Sequence, residues 1–234
     1  MPAIAAVAAD LVARPRPVLC LDTCDLLDII QCVAEGKARR LEHVRRLLDT
    51  LALRPDRVQL VVSYLVPVEW AQNQATVIAD VERKTRHVDE DIAEIHPAWQ
   101  HAGSPLPGPA LTYAGAGLPA ALAALAGTVL SWAAVLDRDD TCVGRALDRV
   151  HNKARPSHGG MVKDSIHLEH YLELCRRLHA AGFPERRVFV SANKADFWEA
   201  KNNPSIHPDL EPQLTAVGLE FFGTLEAALG GLGV

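Results

Sequence analysis

Val18-Leu19-Cys20-Leu21-Asp22-Thr23-Cys24-Asp25 begins with four apolar residues and ends among carboxylates. A short, continuous apolar run of this kind reads as a strand covered on both faces. Asp22 or Thr23 can cap the helix that follows, because a side-chain oxygen at that place accepts from an orphan amide of the first turn. Leu26, Leu27, Ile29 and Ile30 give that helix its apolar face. Strand followed directly by helix is the repeating unit of an α/β sheet, and such a sheet binds ligands outside the carboxyl ends of its strands. Asp22 stands at that edge.

The same alternation continues outward. Residues 2–13 read as a short helix. Residues 37–53 read as a second, with Leu41, Val44, Leu47, Leu48 and Leu51 at helical spacing and Pro55 ending it. Residues 58–63 are a second strand, and a helix starts near Pro67, a residue well placed in a first turn; Glu69 lies in that turn. Residues 75–95 form a charged amphipathic helix, 98–109 a Pro/Gly/His loop, and 118–136 and 141–152 two more helices. Residues 153–160 are a flexible basic loop. Residues 163–181 form a strong helix stopped by Gly182, followed by strands at 187–191 and 218–222. The expectation is one domain over residues 1–234: an α/β fold of three layers, α/β/α. Its central, mostly parallel sheet has four or five strands, and residues 75–152 form a helical insertion.

Composition limits the function classes. A chain of 234 residues with 49% hydrophobic content can bury a large core, and with 5% aromatics that core is mostly Leu, Val, Ala and Ile. The net charge of −5 gives no global basic signal, so any nucleic-acid contact must rest on local basic patches. Five cysteines without disulfide spacing fit a reducing cytoplasm, and Cys20 and Cys24 read as small core residues. The apolar stretch at 2–13 lacks a basic leader and contains Asp10, unlike a signal peptide. Residues 102–136 carry no charge, and 110–136 is long enough to span a bilayer. Yet this stretch is rich in Ala and Gly, holds Pro119, Thr112, Thr128 and Ser131, and as a span would part Asp22 and Glu69 from Asp164. It reads as a buried helix or a partner-facing apolar face, with no membrane.

Each acidic position has an ordinary structural role. Asp22 could be a helix cap; Glu69 and Asp164 could complement helix dipoles; Asn193 or Asp196 could cap a short helix after the strand at 187–191. Together, however, they recur at strand ends and helix starts. Carboxylates that converge on one sheet edge repel one another, and a divalent cation relieves that repulsion.

The opening strand-Asp22-Thr23-x-x-Leu26-Leu27 resembles the start of PIN-domain nucleases. So do Lys163-Asp164-Ser165-Ile166 at a helix head and the turn Ser191-Ala192-Asn193-Lys194-Ala195-Asp196-Phe197 after a strand. The resemblance covers about residues 17–75 and 160–222, and its last motif is the most specific. It implies a two-metal phosphodiesterase that uses Mg²⁺ or Mn²⁺ to cleave RNA, ahead of DNA. Asp22, Glu69, Asp164 and Asp196 would be the catalytic and metal-binding acids. Ser191 would fix the turn or hold a water, and Lys163, Lys194, Arg155 and Asn193 would lie against substrate. Two departures stand out. Asn193 occupies a position where many relatives carry Asp, removing a charge from the second metal site. The long span between Glu69 and Asp164 suggests a lid, a substrate platform or an oligomer interface.

Arg39, Arg40, Arg45 and Arg46 read as a solvated helix face; His167, one turn after Asp164, could face the site, yet it and His170 read as surface residues. His158-Gly159-Gly160 could close over phosphate. No P-loop, dinucleotide fingerprint or nucleophile elbow is present. A phosphatase of the haloacid-dehalogenase type also begins with a strand-end Asp but needs a second Asp two residues on, where this chain has Cys24. A PIN-like module that binds RNA or protein without cutting is the other alternative, favoured by Asn193 and the acidic net charge.

Overall fold

In the computed structural model, which describes residues 1–103, 113, 115–157 and 161–233, the first half of the chain forms α1 (Ile4–Ala13), β1 (Val18–Leu21), α2 (Thr23–Gln31), α3 (Arg40–Leu53), β2 (Gln59–Val62), α4 (Leu65–His101) and α5 (Leu118–Ser131). It continues with β3 (Ala134–Val135), α6 (Asp140–His151), α7 (Val162–Ala180), β4 (Arg187–Val190), β5 (Trp198–Ala200), β6 (Asn203–Ile206), α8 (Glu211–Thr215), β7 (Leu219–Phe222) and α9 (Leu225–Leu232). Five strands make one parallel sheet in the order β3-β2-β1-β4-β7, while β5 and β6 form a separate antiparallel pair.

Successive strand residues face opposite ways, so each strand contributes to two cores. Val18, Cys20, Val61 and Phe189 pack on one side against α1, α7 and Cys142 of α6. Leu19, Leu21, Leu60, Val62, Val188 and Val190 pack on the other, under α2, α3, α4, α5 and α9. The result is three layers, α/β/α. Burial on both faces explains why β1 is apolar at every position. Phe189 centres the first core, with ring centroids 5.3 Å from Tyr171, 5.1 Å from Phe197 and 5.7 Å from Phe221.

From β1 the chain builds outward to β2 and β3, then returns to add β4 and β7 on the opposite side. The winding therefore reverses between β1 and β4, where a parallel sheet opens a crevice at its carboxyl edge. Asp22 directly follows β1 and Ser191 directly follows β4.

Four local expectations change. The helix near Pro67 and that at 75–95 are one 37-residue helix, α4, which also runs through residues 98–101 despite Pro97. Nothing between residues 67 and 95 breaks helical propensity, so there is no stop signal to separate them. Residues 104–109 of the Pro/Gly/His stretch lie outside the described residues. The run 118–136 is not one helix: α5 ends at Ser131 and β3 adds an edge strand, with Leu136 N bonded to Val62 O at 2.8 Å. Short apolar runs do not distinguish helix from strand by periodicity, and only pairing with β2 decides. After Asn193 there is no helix to cap. Phe197 N closes a turn onto Asn193 O at 3.1 Å, and the β5–β6 pair follows. Among the described residues, no helix is long and apolar enough to cross a membrane.

Candidate functional site

Asp22 does cap α2. Its Oδ1 accepts from Thr23 N at 2.6 Å, and Asp25 completes a capping box by accepting from Asp22 N at 3.3 Å. The cap leaves Oδ2 to be held across the β1–β4 crevice, where Ser191 Oγ donates to it at 2.6 Å. Ser191 Oγ in turn accepts from Asn193 N at 3.1 Å, and Trp198 Nε1 donates to Ser191 O at 3.0 Å. Ser191 thus fixes the turn after β4 and ties it to Asp22. A hydroxyl that bonds the amide two residues on is a common local turn device.

Glu69, early in α4, reaches back to the same place. Its Oε2 accepts from Thr23 Oγ1 at 2.6 Å and faces His167 Nε2 at 3.0 Å; Lys163 Nζ lies 3.3 Å from Oε1. Burial alone would raise the Glu69 pKa. The hydrogen bond and charge of His167, with Thr23 and Lys163, instead bring it down to about 2. Lys163 is therefore engaged with a carboxylate of the site itself.

His167 and His170 are buried, contrary to the surface position expected for them. Every residue from Ser165 to Leu172 is buried, because α7 packs on the sheet and against both α1 and α6. The apolar residues of 163–181 already cover more than one face, and a helix apolar on several faces is a covered helix; that signal was present in the sequence. His167 Nδ1 meets Ser63 Oγ at 2.5 Å, while Nε2 meets Glu69. Burial would lower the pKa of His167, but Glu69, Asp22 and Asp164 hold it above the ordinary histidine value. Ser63, His167 and Glu69 form the linear order of a hydrolytic triad. Ser63, however, has no exposed surface, so no substrate can reach its hydroxyl, and the chain of bonds orients Glu69. Tyr171, one turn further along α7, donates to Leu21 O at 2.5 Å and accepts from Ser63 N at 3.1 Å. One helix thus anchors the carboxyl ends of both β1 and β2.

Asp164 and Asp196 complete the acidic edge. The Asn193 amide spans them, with Nδ2 3.2 Å from Asp164 Oδ1 and 3.1 Å from Asp196 Oδ2. Burial, then the charges of Asp22 and Asp196, push the Asp164 pKa up to about 7, against opposing effects of His167 and Asn193. Both nearby cations, Lys163 and His167, pair with Glu69; among the described residues none forms an ion pair with Asp22, Asp164 or Asp196. Lys194 lies 5.0 Å from the centroid of the Trp198 ring, and the Arg155 guanidinium donates to Ala195 O, tying the loop before α7 to the turn after β4. His158-Gly159-Gly160 lies outside the described residues. Burial and the surrounding acids, Asp22 first, push the Cys24 thiol pKa far up, so it remains protonated and is a poor metal ligand.

The donor set fits a divalent ion. One ligand atom each from Asp22, Glu69 and His167 lie within 4.8 Å of one another. Ligands on one octahedral ion with ~2.1 Å bonds stand about 3 Å apart when adjacent and about 4.2 Å when opposite. A concavity of about 510 Å³ lies at the other edge of the sheet, between Arg16, Arg46, Arg54, Arg57 and Glu185, away from these carboxylates. Comparison with family models, curated proteins and solved structures gives no match.

Proposed function

We propose that this chain is a metal-dependent nuclease of PIN type, cleaving RNA ahead of DNA with Mg²⁺ or Mn²⁺. The observation that carries this reading is Asp164. A half-buried carboxylate is set beside Asp22 and Asp196, and among the described residues no cation forms an ion pair with any of the three; His167 and the Asn193 amide only partly offset their repulsion at Asp164. Leaving a group in that state costs stability, and a bound divalent ion would offset the cost. Asp22, Glu69 and Asp164 would hold the metal, with Asp196 beside them. When bound, the metal would lower the pKa of a coordinated water and steady the leaving oxygen of a phosphodiester. The chain's own part is positional. Ser191 and Thr23 orient Asp22 and Glu69, and Asn193 keeps Asp164 and Asp196 apart. Arg155 holds the turn after β4 in place. Five free thiols suit a cytoplasmic setting.

Asn193 also favours a second reading, a module that binds RNA or protein without cutting, since an amide adds no charge for a second metal. The test is single-stranded, end-labelled RNA with purified protein and Mn²⁺. We expect cleavage that EDTA abolishes and that Asp22→Asn and Asp164→Asn each reduce by about 10³-fold or more. Cleavage surviving EDTA and both substitutions would refute the metal mechanism. A gel shift without cleavage under any metal would favour the binding module.

A further inference from the structure

Building on that reading, we propose that His167 Nε2 is itself a metal ligand. The centre would then be a mixed nitrogen–oxygen site that selects Mn²⁺, Fe²⁺ or Co²⁺ over Mg²⁺. Three observations support it. First, the atoms that stand within 4.8 Å of one another are two carboxylate oxygens and one imidazole nitrogen, one each from Asp22, Glu69 and His167. Any ion held by Asp22 and Glu69 within that triangle sits against Nε2. Second, His167 cannot swing aside: it is 1% exposed, in a helix buried along eight consecutive residues, Ser165 to Leu172. Third, its other ring nitrogen is anchored, with Ser63 Oγ 2.5 Å from Nδ1. Metal-bound histidines almost always have their second nitrogen held this way, which fixes ring orientation and tautomer. A serine hydroxyl accepts as well as donates, so the same contact serves the tautomer with the proton on Nδ1. In that tautomer the Nε2 lone pair faces Glu69 Oε2 at 3.0 Å and is available to an ion held beside that carboxylate.

The chemical consequence is selectivity. Imidazole suits the later divalent ions, whereas Mg²⁺ prefers oxygen ligands and gives up its waters reluctantly. A site with one fixed nitrogen among its donors therefore discriminates against Mg²⁺, which four carboxylates alone would not do.

Pulsed EPR on Mn²⁺-loaded full-length protein tests this without reference to activity. We expect a ¹⁴N modulation in the wild type that changes frequency when histidine is ¹⁵N-labelled and disappears in His167→Gln. Calorimetry should show Mn²⁺ affinity falling about 10- to 100-fold in His167→Gln, with Mg²⁺ affinity much less affected. Bound Mn²⁺ without nitrogen modulation, or modulation that survives His167→Gln, would overturn the His167 assignment while leaving a metal centre in place. No Mn²⁺ binding to the wild type at millimolar metal would overturn the metal reading and this inference together. If His167→Gln does not fold, the ¹⁵N-histidine experiment on the wild type decides alone.

Discussion

Asp164 and Glu169 lie five residues apart on α7, and both are acids drawn into the protein, yet their surroundings differ completely. Glu169 is enclosed by guanidinium groups: Arg145 Nε at 2.8 Å, Arg149 Nη2 at 2.6 Å and Arg176 Nη2 at 3.5 Å. Glu173, one turn on, shares Arg145 and Arg176 and adds Arg177. Burial would raise the Glu173 pKa, but these arginines hold it below the usual carboxylate range. Asp164 has Asp22, Asp196 and the Asn193 amide for company. The first cluster is complete without any added ion and joins α6 to α7. The second is negatively charged, partly protonated near neutrality, and lies at the point where the sheet reverses its winding. An acid neutralised by the protein's own cations stabilises the fold; an acid left among like charges marks the place for a cation from outside.

That contrast can be broken in four ways. Glu169→Ala leaves Arg145 and Arg149 partly buried without their partner, so it should cost about 3–5 kcal/mol, a fall in Tm of roughly 10 °C. Chemical denaturation would measure it, and a near-neutral result would show that the arginine cluster is not structural. Asp164→Asn should do the reverse in EDTA. Removing the repelled charge should raise stability at pH 8 by on the order of 1–3 kcal/mol while abolishing thermal stabilisation by Mn²⁺. A loss of stability there would mean that Asp164 is already well compensated.

The pH profile follows from two opposite shifts. Asp164 is raised to about 7, so in the metal-free protein its charged form is the destabilised one. Stability should therefore rise as pH falls from above 7 towards 4. Glu69 is lowered to about 2, so its contribution is complete above about 4.5 and is lost as pH falls towards 2. A Tm scan in EDTA should show a maximum in the mildly acidic range, and Mn²⁺ should flatten the neutral side. A Tm that rises steadily from pH 5 to 8 in EDTA would contradict the buried acidic edge. The smallest effect is that of Asn193→Asp. Adding a third acid beside Asp164 and Asp196 should cost the metal-free protein about 1 kcal/mol and tighten Mn²⁺ binding about tenfold. Calorimetry and melting in EDTA would read both, and unchanged affinity would place Asn193 outside the metal's reach.

Much of the architecture was legible before any coordinates. Continuous apolar strands at β1, β2 and β4, separated by helices of clear period, required a parallel sheet covered on both faces. That Asp22 or Thr23 caps α2 follows from residue type and position alone; the structure selects Asp22. Local signals failed where the deciding contact is distant. Ala134 and Val135 become a strand only because β2 offers an open edge. Asn193 opens a turn because Trp198 bonds back to Ser191. The apolar residues around His167 already cover more than one face of α7, but which groups its ring meets depends on α4 and β2, about a hundred residues away in the chain.

The sequence by itself therefore determined the class of fold and the acids available at the carboxyl edge, because strand and helix periods, caps and breakers act within a few residues. Only the tertiary structure decided which acids are neutralised. Charge compensation depends on distances of 3–4 Å between side chains up to 169 residues apart, as in the bond from Ser191 to Asp22, and residue spacing along the chain carries no record of them.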